Sequence, residues 1–197
     1  MKKTYPIILL LIFIGMNLEA NNKQVIYLGG GCFWCIESVF ERLKGVEKAV
    51  SGYMGGEMSN PTYQEVCSGK TGHAEVVKIE FDPQLVSLDQ LLRVFFAVHD
   101  PTTPNRQGND VGTQYRSAIF YTSDIQLKTV NNYMEDLRKN GVFDRDIVTQ
   151  VVKAGEFYEA EAYHQDYFRR NPNQPYCQIV VAPKVKKLEV NFLPLLK

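Results

Sequence analysis

The sequence predicts an α+β fold, a two-layer α/β sandwich, on three observations. Short runs of apolar and β-branched residues at 24–28, 75–81, 117–122 and 147–152 read as strands. Segments of helical period lie between them. The stretches joining the two kinds are irregular, unlike the regular crossovers of a doubly wound sheet. No repeat, low-complexity tract or Pro/Gly/Ser-rich linker interrupts the chain after its first twenty residues, so residues 21–197 read as a single domain.

The opening segment stands apart. Lys2 and Lys3 precede an apolar run from Pro6 to Met16, and the small Ala20 follows. This is the layout of a secretory signal peptide over residues 1–20, cut after Ala20. The run is shorter than the ~20 residues that a spanning helix needs, which favours cleavage over an N-terminal membrane anchor. No cysteine precedes Cys32, so no acylated cysteine follows the run. An exported protein of the bacterial periplasm is expected.

The strand at 24–28 leads through Gly29, Gly30 and Gly31, read as a tight turn, into a helix with Ile36, Val39, Phe40 and Leu43 on one face and Gly45 at its end. Residues 52–75 read as a long loop before the strand at 75–81. A second helix starts at Ser87, where Gln90 three residues on completes a capping box, and continues through Leu91, Leu92, Phe95 and Phe96. A second long loop covers 99–116. The helix at 124–140 is read as capped by Asp124 and stopped by Gly141, and a fourth, at 159–170, stops before Pro172. Loops as long as these two are usually functional or disordered. Their interleaved Tyr, His, Glu and Asp residues argue for function, because disordered segments rarely keep aromatics.

Composition excludes some classes. With 45% hydrophobic and 22% charged residues the chain is an ordinary soluble globular protein. Lys+Arg and Asp+Glu number 22 each, which leaves no electrostatic footprint for nucleic acid. The cysteines are Cys32, Cys35, Cys67 and Cys177, too few for a disulfide scaffold in a chain of this size. Zinc needs four ligands, usually two close pairs, and only Cys32 and Cys35 are paired in sequence, so no metal is expected. Cys67 reads as a small buried hydrophobe, and His73, His99 and His164 as satisfied polar residues near the site.

The stretch "YLGGGCFWCIESVF" carries the chemistry. Cys32 falls at the first turn of a helix, whose free N–H groups and positive dipole end favour a thiolate, so Cys32 is the natural nucleophile. Cys35 lies one turn further on the same side, within disulfide reach. A thiol-disulfide exchanger is the alternative, since Cys-x-x-Cys at a helix start suits it. However, Phe33 and Trp34 crowd the approach of a protein disulfide and suit the grip of a small apolar group. A non-catalytic peptide-binding module using the two aromatics is a third reading.

The blocks "GCFWCIESVF", "NPTYQEVCSGKTGHAE", "HDPTTPNRQGNDVGTQYRSAIFY" and "AYHQDYF" resemble, in order and spacing, those of the A-class peptide methionine-sulfoxide reductases, over nearly all of residues 25–185. The resemblance implies a ferredoxin-like core with a central mixed sheet, no cofactor, and reduction of methionine-S-sulfoxide, free or in peptides and proteins, to methionine. It implies Cys32 as nucleophile, Glu75 as acid, Tyr63 and Tyr115 as phenols that hydrogen-bond the oxygen, and Asp110 as a supporting polar contact. Phe33 and Trp34 become the wall that holds the substrate methyl group. A sulfenic acid on Cys32 is then condensed to a disulfide and recycled by thioredoxin or a thioredoxin-like dithiol. Many members have Gly in place of Cys35 and use C-terminal cysteines. Here Cys35 is expected to resolve first, with Cys177, in the C-terminal tail, as the alternative. A monomer is expected.

Overall fold

A six-stranded mixed sheet organises residues 23–197, the part of the chain that the computed structural model describes. The expected signal peptide lies outside the described residues. In chain order the elements are β1 (Gln24–Gly30), α1 (Phe33–Phe40), β2 (Val46–Met54), α2 (Tyr63–Cys67), β3 (Ala74–Phe81), α3 (Leu88–Val98), β4 (Arg106–Gln107) and β5 (Asp110–Val111). A 3₁₀ turn (Thr113–Tyr115), β6 (Ser117–Tyr121), α4 (Asp124–Lys139), β7 (Gln150–Lys153), β8 (Tyr158–Glu159) and α5 (Tyr167–Arg170) follow. A π-helical turn (Cys177–Val181) then runs into α6 (Ala182–Asn191), and a last 3₁₀ turn covers Leu193–Leu195. The sheet order is β7-β6-β1-β3-β2-β8, antiparallel except for the parallel pair β6-β7. Strands β4 and β5 form a separate small hairpin.

Period-two alternation divides the sheet. Ile26, Leu28, Tyr53, Val77, Ile79, Phe81 and Ile119 share the main core with the apolar sides of α1, α3, α4 and α6. Met54, Ala74, Val76, Ala118 and Phe120 form a smaller cluster on the other face. This is the expected α+β arrangement with a central mixed sheet. Burying a Leu, Ile or Phe contributes about 1.5–3 kcal/mol, so the helices are held chiefly through the main core.

Helix α3 carries the capping box read from the sequence: the Gln90 N–H donates to Ser87 Oγ at 3.2 Å, and the Ser87 N–H to Gln90 Oε1 at 2.8 Å. Helix α4 is capped by Ser123 instead of Asp124. The Ser123 backbone is extended and its hydroxyl accepts the Gln126 N–H, which leaves Asp124 in the first turn, where its charge complements the dipole.

Other expectations give way as well. Strand β2 falls in a region read in part as loop, because adjacent Glu47 and Lys48 and the glycine at 52 hide its alternation; pairing with β3 along its length secures it. Helix α1 stops at Phe40, short of Leu43. The helix expected at 159–170 is helical only over α5, its first residue instead pairing with β2 through β8. The C-terminal segment is helical from Cys177 to Asn191 and is no loose tail. The β-branched run Ile179, Val180, Val181 sits in the wider π turn, and Pro183 follows it at the second residue of α6. The chain end is then tied to the exit of α1, with the Lys44 N–H on the Leu195 carbonyl at 2.7 Å and the Lys197 N–H on that of Arg42 at 2.9 Å.

Of the three consecutive glycines only Gly31, at φ +90°, makes the turn. Gly29 and Gly30 continue β1 opposite Ala118 and Ser117. A Cβ at Gly30 would lie 3.0 Å from the Phe95 ring and 3.1 Å from Ile36 Cδ1. The absence of side chains there lets α1 and α3 close onto the strand, which places Cys32 at the edge of the core.

Candidate active site

Cys32 is the N-cap of α1 and Cys35 lies in its first turn, with the Cys35 N–H on the Cys32 carbonyl at 3.0 Å. Both are free thiols, 7% and 0% exposed, with their sulfurs within hydrogen-bonding reach of each other. The expected thiolate at Cys32 is corrected here. Burial pushes the Cys32 thiol up, and its contact with Cys35 and the nearby Glu75 add to this, while the Tyr176 hydroxyl against the sulfur opposes it. The Cys35 thiol is lowered, first by the Cys32 contact and then by the charge of Lys184, against the effect of burial.

The helix start is used by a different group. Glu75 is the first helix-facing residue of β3, opposite Tyr53 in the register, and its Oε2 accepts the Phe33 N–H at 3.0 Å. Burial raises the Glu75 carboxyl to about 8; the Phe33 N–H opposes the rise, and the charges of Asp110 and Cys35 add to it. The carboxyl is therefore protonated at neutral pH. With Oε2 on the amide, Oε1 is the oxygen left to carry and give the proton.

The aromatic residues between the thiols take unequal positions. Phe33 is 1% exposed, packed 5.9 Å from the Tyr53 ring, 6.4 Å from Tyr63 and 5.0 Å from His164. Trp34 is half-buried, stacked at 3.7 Å and 6° on Tyr167, and its Nε1–H donates to His164 Nδ1 at 3.2 Å. That bond makes His164 Nδ1 an acceptor, so burial, which lowers this imidazole, leaves it neutral with its proton on Nε2. Trp34 is the outer face of the cluster and Phe33 its backing.

Tyr63 opens α2, its N–H on Glu161 Oε1 at 2.8 Å, and the other oxygen of Glu161 accepts the Tyr53 hydroxyl at 2.9 Å. Tyr115 closes the 3₁₀ turn, half-buried. Burial, with the Glu75 charge adding, raises both phenols, which keeps them donors. Asp110, on β5, accepts the Tyr176 hydroxyl at 2.5 Å. Cys67, read as a buried thiol, is exposed and lies against the Tyr63 hydroxyl. His73 and His99 are satisfied as expected. His73 binds the Gly56 N–H at 3.1 Å and the Met58 carbonyl at 2.8 Å, and His99 the Phe95 carbonyl at 2.6 Å and Ser117 Oγ at 2.8 Å.

Charges, phenols and thiols thus converge on the start of α1. A model of the family described as peptide methionine sulfoxide reductase matches residues 24–194. The chain belongs to the peptide methionine sulfoxide reductase family. It is similar to a peptide methionine sulfoxide reductase MsrA of Trichodesmium erythraeum, 56% identical over 169 residues that cover 86% of this chain and 96% of the relative. Among solved structures it resembles Mxr1 of Saccharomyces cerevisiae in reduced form, with a TM-score of 0.73 at 35% identity over 81% of this chain and 91% of the other. It also resembles methionine sulfoxide reductase A of Corynebacterium diphtheriae, with a TM-score of 0.69 at 38% identity over 79% of this chain and 78% of the other.

In this reductase the C-terminal segment joins the site, as the alternative role of Cys177 implied, and Tyr176 is the residue of it that sequence reasoning missed. Tyr176 contacts Cys32 and Asp110 and meets the Trp34 ring edge-on at 5.8 Å. Cys177 is fully buried, and the charge of Cys35 bears on its thiol. A cavity of about 750 Å³ lies between the β4–β5 hairpin and this segment, with Asp110, Tyr176 and Lys184 in its wall. The position of Tyr176 beside Cys177 was the available signal. His164 and Tyr167 stood in a matched block, but nothing local assigned them to Trp34.

Proposed function

We propose that the protein reduces methionine-S-sulfoxide, free and in peptides and proteins, through the Cys32 thiol. The observation that carries this reading is the neutral Glu75 carboxyl, aimed by the Phe33 amide at the start of the helix that presents Cys32. The Cys32 sulfur attacks the sulfoxide sulfur as its proton moves into the contact with Cys35. Glu75 Oε1 gives its proton to the oxygen, where negative charge develops, and Tyr63 and Tyr115 donate hydrogen bonds to it. Methionine leaves, and the oxygen stays on Cys32 as a sulfenic acid. Trp34, backed by Phe33, holds the methyl group; such a contact contributes only ~1–3 kcal/mol, so it orients the sulfur more than it tightens binding.

Cys35 resolves the sulfenic acid, because one helical turn holds it in contact with the sulfur it must attack. In this reading Cys177, on the C-terminal segment that packs against α1, relays the disulfide to a thioredoxin-like dithiol. After sulfoxide treatment without reductant, Cys35→Ser is expected to accumulate Cys32 sulfenic acid by mass spectrometry, with turnover reduced at least about tenfold. A full-yield Cys32–Cys177 disulfide with undiminished turnover would instead make Cys177 the resolver.

The aromatic cluster of Phe33, Trp34 and Tyr167 beside the thiols suits the grip of a small apolar group and speaks against a general disulfide exchanger. A stereospecific assay decides between the readings. With a dithiol the protein should consume the S epimer and leave the R epimer, whereas insulin reduction at a comparable rate without sulfoxide would favour the exchanger.

The finer fold reading is a ferredoxin-like core, supported by the order β6-β1-β3-β2 with α1 and α3 as its two crossovers. Export to the periplasm as a monomer completes the proposal. Export is supported by the sequence pattern of residues 1–20, and it makes a membrane-relayed dithiol the reductant.

A further inference from the structure

We propose that His164, in the turn between β8 and α5, is a positioning residue for substrate selection: its Nδ1 fixes the rotation of the Trp34 ring and so sets the shape of the methyl-binding wall. The proposal rests on the reading of Trp34 as that wall and adds the group that aims it. Three observations carry it.

The first is how Trp34 is held. Its ring lies flat on Tyr167, with centroids 3.7 Å apart and planes at 6°. Stacking of this kind fixes the plane of a ring but tolerates rotation and sliding within that plane. The Trp34 Nε1–H bond to His164 Nδ1, at 3.2 Å, removes that freedom. An indole has one donor and no acceptor, so this bond is its single polar anchor.

The second is how His164 is held. Its N–H donates to the Glu161 carbonyl at 2.8 Å, which closes the turn. Gln165 clamps the turn to β2: its Oε1 accepts the Ser51 N–H at 3.0 Å, and its Nε2 donates to the Ser51 and Ala160 carbonyls, each at 2.9 Å. The Glu161 carboxylate ties the same turn to the Tyr63 N–H and the Tyr53 hydroxyl. The imidazole is 1% exposed and packs 5.0 Å from Phe33 and 4.4 Å from Tyr63, so it does not follow a moving indole.

The third is what His164 leaves unpaired. Its Nε2 is buried with no hydrogen-bond partner among the described residues, and Glu161 Oε2 stands 4.0 Å away, beyond bonding range. A buried unpaired N–H is destabilising, and an apolar side chain of similar size would avoid it. Packing alone does not account for a histidine here, whereas the Nδ1 acceptor does. A ring held in one rotation presents a wall of one shape, which separates a methyl from an ethyl group. A ring free to turn in its stack accommodates both.

The test compares methionine-S-sulfoxide with ethionine-S-sulfoxide, its S-ethyl homologue, as substrates of the full chain with a dithiol. Wild type should prefer the methyl substrate in kcat/KM by about tenfold or more, the range open to one methylene. His164→Leu should shrink this preference about fivefold or more, through a fall in kcat for the methyl substrate with KM changed less than about twofold. His164→Asn, whose Oδ1 stands near the place of Nδ1, should restore it. Trp34 is the single tryptophan of the chain, so its indole N–H gives one NMR resonance. That resonance should move upfield and exchange faster with solvent in His164→Leu, and return in His164→Asn.

Because His164→Leu also alters packing, a second protein carries 3-benzothienylalanine in place of Trp34, which keeps the ring and exchanges only the N–H for sulfur. It should lose the preference to the same extent. Wild-type preference in that protein would overturn the proposal, whether or not His164→Leu folds. An unmoved indole resonance in His164→Leu, or equal losses in His164→Leu and His164→Asn, would overturn it too. Trp34→Ala with undiminished methyl preference would remove the underlying reading of Trp34, and does so independently of any His164 result.

Discussion

Cys32→Ser is expected to lose reduction of a methionine-S-sulfoxide peptide by at least ~10³-fold, down to the background of the assay. A serine hydroxyl is far less nucleophilic than a thiol and forms no sulfenic acid, so neither half of the reaction proceeds. Cys35 does not substitute, because it lies one turn deeper, fully buried, while Cys32 retains 7% exposure. The fold should be unharmed: position 32 is the N-cap of α1 and has no side-chain capping bond, and serine is among the preferred N-cap residues. A thermal midpoint equal to or above wild type, together with lost activity, separates chemistry from unfolding. Retention of more than a tenth of the activity would refute the assignment of the nucleophile.

The second large effect is at Glu75. Glu75→Gln should slow methionine release about 10²–10³-fold, since glutamine keeps an oxygen for the Phe33 N–H but has no proton to give. The pH dependence follows from the raised carboxyl. Wild-type release should fall as pH rises through about 8, where Glu75 loses its proton. That limb should be missing in the variant. Stability has the same sign. A folded-state carboxyl raised from 4.5 to about 8 binds more protons folded than unfolded across that window, so stability falls as pH climbs through it. Glu37, buried in α1 and raised to about 7, adds a parallel loss between 4.5 and about 7. Unfolding curves of Glu75→Gln should keep the Glu37 part and lose the rest. An unchanged pH–rate profile would remove Glu75 as the acid.

How much was legible can be judged element by element. The capping box at Ser87 and the strand at 75–81 were readable because they rest on local spacing, and both recur in the structure. Strand β2 was not, because its apolar positions are interrupted by charges and it is stabilised by the partners on either side of it, β3 and β8. The C-terminal helix was hidden by Pro183 and a β-branched run, since a π turn is chosen by the packing of Cys177 and Val181 and not by propensity. In the site, the matched blocks pointed to Cys32, Glu75, Tyr63, Tyr115 and Asp110 before any coordinates. Tyr176 and Lys184 depend on where a segment some 150 residues away comes to rest, which no local pattern encodes.

By itself the sequence determined the α+β class and the family and pointed to Cys32 as the nucleophile, because strand alternation, helix caps, motif blocks and a Cys at a helix start are short-range signals written in neighbouring residues. Only the tertiary structure decided the ionisation of the site. The helix amide expected to favour a Cys32 thiolate is taken by Glu75, and burial keeps that acid neutral. The contact with Cys32, set by the fold of α1, lowers the Cys35 thiol, and the charge of Lys184, from the far end of the chain, adds to this. Desolvation and Coulomb interactions depend on through-space distance and burial, which exist only once the chain has folded.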